Sequence, residues 1–161
     1  MVLRFLRSSP SRFMIQWLSA CAMAIWSTVL CSPALSADEI AIIVNENGPL
    51  THISRAEVRD IYLGEIRFVE GFRIVPLHCP EGPAKHSFLS TIIGLSSKAY
   101  KLHWAKKVFQ EGLTLPPIKA DPSDIVKWVK EQPGGIGYVP KELAEMDRGI
   151  RILDTIEIIE H

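Results

Sequence analysis

The chain has 161 residues, 47% of them hydrophobic, and its 18 basic side chains are balanced by 18 acidic ones. That balance excludes strong unspecific attraction to nucleic acid or to an anionic membrane surface, because both rest on an excess of Lys and Arg.

Arg4, Arg7 and Arg12 open the chain with no acid among them. From Phe13 to Leu30 the sequence is almost wholly apolar, until Pro33-Ala34-Leu35-Ser36-Ala37 breaks the run. This basic, apolar and small-residue order is that of a secretory signal peptide, with cleavage expected after Ser36 or Ala37. A membrane anchor is the rival, since the apolar run approaches spanning length. Gln16, Ser19, Ser27 and Thr28 lower its hydrophobicity, however, and favour the peptidase. Leu18-Ser19-Ala20-Cys21 also offers a lipoprotein-type processing site, and Met14 an alternative start. The expectation is a periplasmic or secreted protein with a signal at residues 1–37 and one domain at 38–161. Removal of the signal takes three of the 18 basic residues and no acid, leaving a mildly acidic chain. Cys21 and Cys31 leave with it. Cys79 then stands alone, and the domain must rely on an ordinary hydrophobic core.

Ile40 to Val44 is a continuous apolar, β-branched run ended by Asn45-Glu46-Asn47-Gly48-Pro49, which predicts a strand buried on both faces. Ser54-Arg55-Ala56-Glu57 reads as a capping box opening a helix with Val58, Ile61 and Tyr62 on one face and Gly64 at its end. Ile66 to Phe72 reads as an irregular link and Arg73 to His78 as a second strand. Helices are predicted from Pro83 to Ile93, stopped by Gly94, and from Ser96 or Ser97 to Gly112, with Tyr100, Trp104 and Val108 inward. Another follows Asp121-Pro122, with Ile125, Val126, Trp128 and Val129 as its core face. Pro133 to Pro140 predicts a turn and a short strand, Lys141 to Met146 a brief helix, and Ile150–Leu153 and Ile156–Ile159 two final strands. Alternating strands and helices predict an α/β domain of three layers, a sheet covered by helices.

For chemistry, Cys79 beside His78 does not make a nucleophile pair, because neighbours on a strand point to opposite faces. His86 lacks an orienting acid, so a Cys/His enzyme is the least favoured reading and no catalytic residue is assigned. His52, His78, His86 and His103 do not occur at metal-ligand spacings, and no metal or cofactor is expected. Gly134, Gly135 and Gly137 precede a strand without a following Lys-Ser, so they read as backbone geometry. Trp104 and Trp128 read as core. The junction Cys79 to Phe88 remains, where Lys85, with His86 and Ser87, stands at a helix start and favours an anion.

Ile53 to Gly64, Gly71-Phe72-Arg73-Ile74-Val75-Pro76, Phe88, Trp104, Phe109 and Pro133-Gly134-Gly135-Ile136-Gly137-Tyr138-Val139, in that order, resemble the substrate-binding proteins of phosphate ABC transporters. The resemblance, over about Ile40 to Pro140, implies a periplasmic binding protein-like domain and a small anion, phosphate for instance, as ligand. Together with the helix start it places the site at Gly82, Ala84, Lys85, His86 and Ser87, the resemblance itself reaching Gly82 to Lys85. Where the family reads Ser-Gly-Thr-Arg, this chain has Gly82-Pro83-Ala84-Lys85, without the hydroxyls and with a point charge in place of a bidentate fork. Family members are also two-lobed and about twice as long. The alternative is therefore a periplasmic interaction module on the same fold, docking an envelope or membrane protein.

Overall fold

The computed structural model describes residues 39–159. The expected signal segment, with Met14 and Cys21, lies outside them. Among the described residues no helix is long and apolar enough to cross a membrane.

Strand β1 (Glu39–Asn45) is the centre of a four-stranded sheet of order β4-β5-β1-β6. It pairs antiparallel with β5 (Gly135–Pro140) and with β6 (Ile150–Glu157), and β5 pairs parallel with β4 (Val75–Pro76). The run Ile40 to Val44 is wholly buried, and its alternate residues serve two cores. Ile40, Ile42 and Val44 face one cluster with Val58, Tyr62, Phe88, Leu89 and Trp104, while Ala41 and Ile43 face another with Ile125, Val126 and Val129. Those partners come from helices on both sides, so the three-layer α/β expectation holds.

Helix α1 (Arg55–Tyr62) begins with the predicted capping box, in which the Ser54 side chain accepts from the Glu57 amide and the Glu57 carboxylate from the Ser54 amide. Gly64 follows at φ +77°, the left-handed position that a glycine fills without strain. The link after it is more ordered than its sequence suggests. β2 (Phe68–Val69) and β3 (Phe72–Arg73) form a small hairpin across Glu70-Gly71. Both turn residues have positive φ, as a type I′ hairpin turn demands, and Glu70 is an unusual residue to bear it. The predicted strand Arg73 to His78 is correspondingly divided, since Arg73 belongs to the hairpin and Val75–Pro76 to the main sheet. His78 continues the sheet edge by pairing with the Pro117 to Lys119 segment.

The predicted helix from Pro83 changes character midway. α2 (Pro83–Phe88) passes into a five-residue π-helical turn, Leu89–Ile93, that ends at Gly94 with φ +72°. Helix α3 (Ser97–Glu111) is capped by Ser96 and buries Tyr100 and Trp104, but Val108 is partly exposed and does not join the core. α4 (Pro122–Glu131) starts at Asp121 as predicted and buries Ile125, Val126 and Val129, with Trp128 half-buried beside them. After β5 comes α5 (Lys141–Met146). The two predicted final strands are one, β6, whose register against β1 shifts at Ile42/Ile43 so that Leu153 is passed over. A bulge of that kind breaks the alternation pattern without ending the strand.

The glycines of Pro133 to Tyr138 are fixed by close approach rather than by an open loop. A Cβ on Gly134 would lie 2.1 Å from the Arg73 carbonyl oxygen, and one on Gly137 2.5 Å from Ile125 Cγ2. β5 can sit against β4's flank and under α4 only where those side chains are missing.

Candidate functional site

Two polar constructions occupy the end of the sheet where the chain leaves β4 for α2. The first is buried. His78 lies with its ring between Tyr138 and Tyr100, Nδ1 being 2.9 Å from the Tyr138 hydroxyl and Nε2 2.9 Å from the Tyr100 hydroxyl. Tyr100 donates its one proton to the Tyr62 carbonyl oxygen at 2.9 Å, which also accepts from Trp104 Nε1 at 3.1 Å. Tyr100 must then accept from His78, which puts the ring proton on Nε2 and leaves Nδ1 to accept from Tyr138. Tyr62 closes the network by donating to the Leu77 carbonyl at 3.0 Å. Burial, reinforced by the charge of Lys85 and opposed by Glu81, lowers the His78 pKa to about 3, so the ring is neutral. Phe88 stacks on Tyr138 with centroids 4.1 Å apart and completes an aromatic box.

The second construction surrounds Glu81, three residues on. Its carboxylate takes one pair of partners on each oxygen. Oε1 accepts from Ser97 Oγ at 3.0 Å and lies 3.5 Å from His86 Nε2. Oε2 lies 3.1 Å from Lys101 Nζ and 3.4 Å from Lys85 Nζ. Partial burial works against ionisation of Glu81, but Lys101, Ser97 and Lys85 outweigh it and hold the pKa down at about 2. Sequence spacing explains the convergence, because Glu81 and Lys85 are four residues apart, as are Ser97 and Lys101 on α3. Ser97 and Lys101 share one face of α3, and Lys85 turns back from α2 toward Glu81, which precedes that helix.

Lys85 is the unusual member. Its side chain is only 6% exposed, and its one hydrogen bond is the 3.4 Å contact with Glu81, although an ammonium carries three donors. A groove of about 570 Å³ adjoins the cluster, lined by His86, Ser87, Ser90, Ser96, Ser97 and Lys98. His86 and Ser97 belong to both.

Of the residues expected at an anion site, Lys85 and His86 thus meet at Glu81, while His86 and Ser87 face the groove. Ser87 is buried and its hydroxyl accepts from the Ile159 amide at 2.8 Å, tying α2 to the chain beyond β6. Gly82 is the N-cap residue of α2 and Ala84 lies half-buried in its first turn. Proline at the first helical position removes an amide. Glu81, Ser97 and Lys101 were not expected there, though their two i, i+4 spacings were visible.

No protein-family model and no curated protein matches the chain. Solved structures do. A phosphate ABC transporter substrate-binding protein from Clostridium perfringens, with bound phosphate, superposes with a TM-score of 0.53 at 22% identity, over 71% of this chain and 44% of that one. An ABC-type phosphate transport receptor from Vibrio cholerae gives 0.51 at 18% identity, over 71% and 45%. The shared property is the fold. The chain spans less than half the length of these neighbours.

The other candidate residues are held in structural roles. Burial raises the Cys79 pKa, so its thiol is not poised as a thiolate nucleophile, and His86 turns to Glu81. His103 Nε2 lies 2.9 Å from the Leu63 carbonyl oxygen. Trp104 packs in the core and bonds the Tyr62 carbonyl.

On the far side of β4 lies a different surface. A cleft of about 470 Å³ is lined by Ile66, Arg67, Phe68, Arg73, Trp104 and Leu115, among others. Phe68 is 64% and Leu115 51% exposed.

Proposed function

We propose that this chain is an exported, non-catalytic binding domain that takes a small oxyanion such as phosphate at the Glu81 corner, through Lys85, His86, Ser97 and Lys101. The signal-like residues 1–37 support export. The observation that carries the ligand class is the convergence of two ammonium groups, a hydroxyl and an imidazole on one pair of carboxylate oxygens. A group of donors that already holds one oxyanion has the charge and reach to hold another. Gly82 has no side chain to obstruct the approach, Ala84 adds only a methyl group that packs on the core, and Ser87 lines the adjoining groove. Titration calorimetry of the purified protein with phosphate and sulfate tests this. Binding is expected, weakened about tenfold by Lys85→Ala and by Lys101→Ala, in line with loss of one charge-assisted contact. Absence of heat with either anion sinks the reading.

A second reading, an interaction module that docks an envelope or membrane protein, is favoured by Phe68 and Leu115, large apolar side chains left exposed beside a cleft flanked by Arg67 and Arg73. A photoreactive residue placed at Phe68 should then give a discrete protein adduct in cells, and one placed at Lys127 on α4 should not. Equal labelling from both positions removes this reading.

A further inference from the structure

The Glu81 corner is already filled. Its carboxylate gathers Lys101 at 3.1 Å, Ser97 at 3.0 Å, Lys85 at 3.4 Å and His86 at 3.5 Å, so it stands at the point where these donors converge, and an incoming anion can meet all of them together only if Glu81 moves. Two features suit it to moving. Its side chain is 43% exposed, so it has water on one side to turn into. It precedes Gly82, whose φ of 162° is extended backbone, and α2 begins only at Pro83, so it stands outside the helix. The nearly buried Lys85, by contrast, is anchored within α2 and reaches Glu81 only through a long contact that leaves donors without an acceptor in the protein.

We propose that Glu81 is a built-in competitor: its carboxylate occupies the place of an external oxyanion, holds Lys85, Lys101 and Ser97 ready for one, and must swing out before one can bind. The proposal rests on the oxyanion reading of this corner and deepens it. Because the carboxylate is ionised throughout the neutral range, competition is constant under ordinary conditions and the site selects anions able to displace a tethered carboxylate. A ligand offering oxygens in three dimensions can reach more of these donors at once than a planar carboxylate, which favours phosphate-like tetrahedral anions over acetate-like ones. The tether makes the competitor's effective concentration high, so the intrinsic grip of the donors exceeds the affinity observed from outside.

The test is titration of the full chain with inorganic phosphate, comparing wild type, Glu81→Gln and Glu81→Gln/Lys85→Ala. Glutamine keeps the size and removes the charge, so phosphate affinity should rise at least about fivefold, the equivalent of one exposed ion-pair contact. Lys85→Ala in that background should abolish the gain. If wild type binds phosphate and Glu81→Gln binds no tighter, the competitor role is overturned while the oxyanion reading stands. If only Glu81→Gln binds, the competitor role stands and native phosphate binding does not. If neither binds, both fail. The side-chain carboxyl ¹³C resonance of Glu81 in the unmutated protein gives a readout free of any folding effect. It should move toward the value of a solvent-exposed glutamate as phosphate is added, and a resonance that stays still while phosphate binds overturns the proposal.

Discussion

His78 and Glu81 stand three residues apart and solve opposite problems. The His78 box is dry, and every donor in it has an acceptor: Tyr138 to Nδ1, Nε2 to Tyr100, Tyr100 and Trp104 to the Tyr62 carbonyl, Tyr62 to the Leu77 carbonyl. Among the described residues no buried side-chain polar atom lacks a partner. The Glu81 corner is half-wet and holds more donors than acceptors. A satisfied buried network is specific and costly to disturb, whereas a donor-rich cluster at the surface adds little stability and is free to exchange partners. The fold is thus held by one polar group, and the proposed binding falls to its neighbour.

His78→Phe should have the largest effect, because it leaves the Tyr138 and Tyr100 hydroxyls without their ring partner. It should lower unfolding stability by about 3 kcal/mol in urea titration at pH 7. A loss below about 1 kcal/mol would mean that water replaces the ring easily. Acid should act through the same residue. His78 titrates at 6.5 in the unfolded chain and about 3 in the folded one, so between those values the unfolded chain binds the extra proton and stability falls as pH drops. The loss should reach roughly 2 kcal/mol at pH 5. Glu81, depressed from 4.5 to about 2, adds its own loss only at lower pH. Unfolding of His78→Phe should accordingly be flatter than wild type between pH 7 and 5, and parallel curves would remove His78 as the source.

Tyr138→Phe removes one donor from Nδ1 and should cost about 1 to 2 kcal/mol by the same measurement. The smallest effect belongs to the Glu81 corner. Glu81→Gln should change stability by less than about 1 kcal/mol, since the side chain is 43% exposed. A larger drop would show that the corner is a structural staple.

Local rules carried much of this structure. The capping box at Ser54, the Asp121-Pro122 start, the glycines at 64, 94 and 112 and the apolar run of β1 each act within a few residues, and each was legible. The failures have physical causes. A Glu-Gly hairpin turn places a non-glycine residue at positive φ, which composition does not announce. The β6 bulge resets the alternation that would mark one strand. Val108 keeps the helical period of Tyr100 and Trp104, yet α3 extends past the layer that covers them. At the site, Lys85, His86 and Ser87 were visible as polar residues at a junction. Glu81, Ser97 and Lys101 acquire meaning only because α3 is brought against the start of α2.

By itself, then, the sequence determined the α/β alternation, the strand at the centre of the sheet, the helix ends, and a polar junction after the second strand, because each depends on short-range chemistry. Tertiary structure alone decided which residues meet. It brought Ser97 and Lys101 to the Glu81 carboxylate, made Ser87 a tether for Ile159, and turned His78 from a candidate ligand into the neutral hub of an aromatic box. Those outcomes depend on the packing of α3 and β5 around β4's end, a contact between segments too distant along the chain for any local pattern to encode.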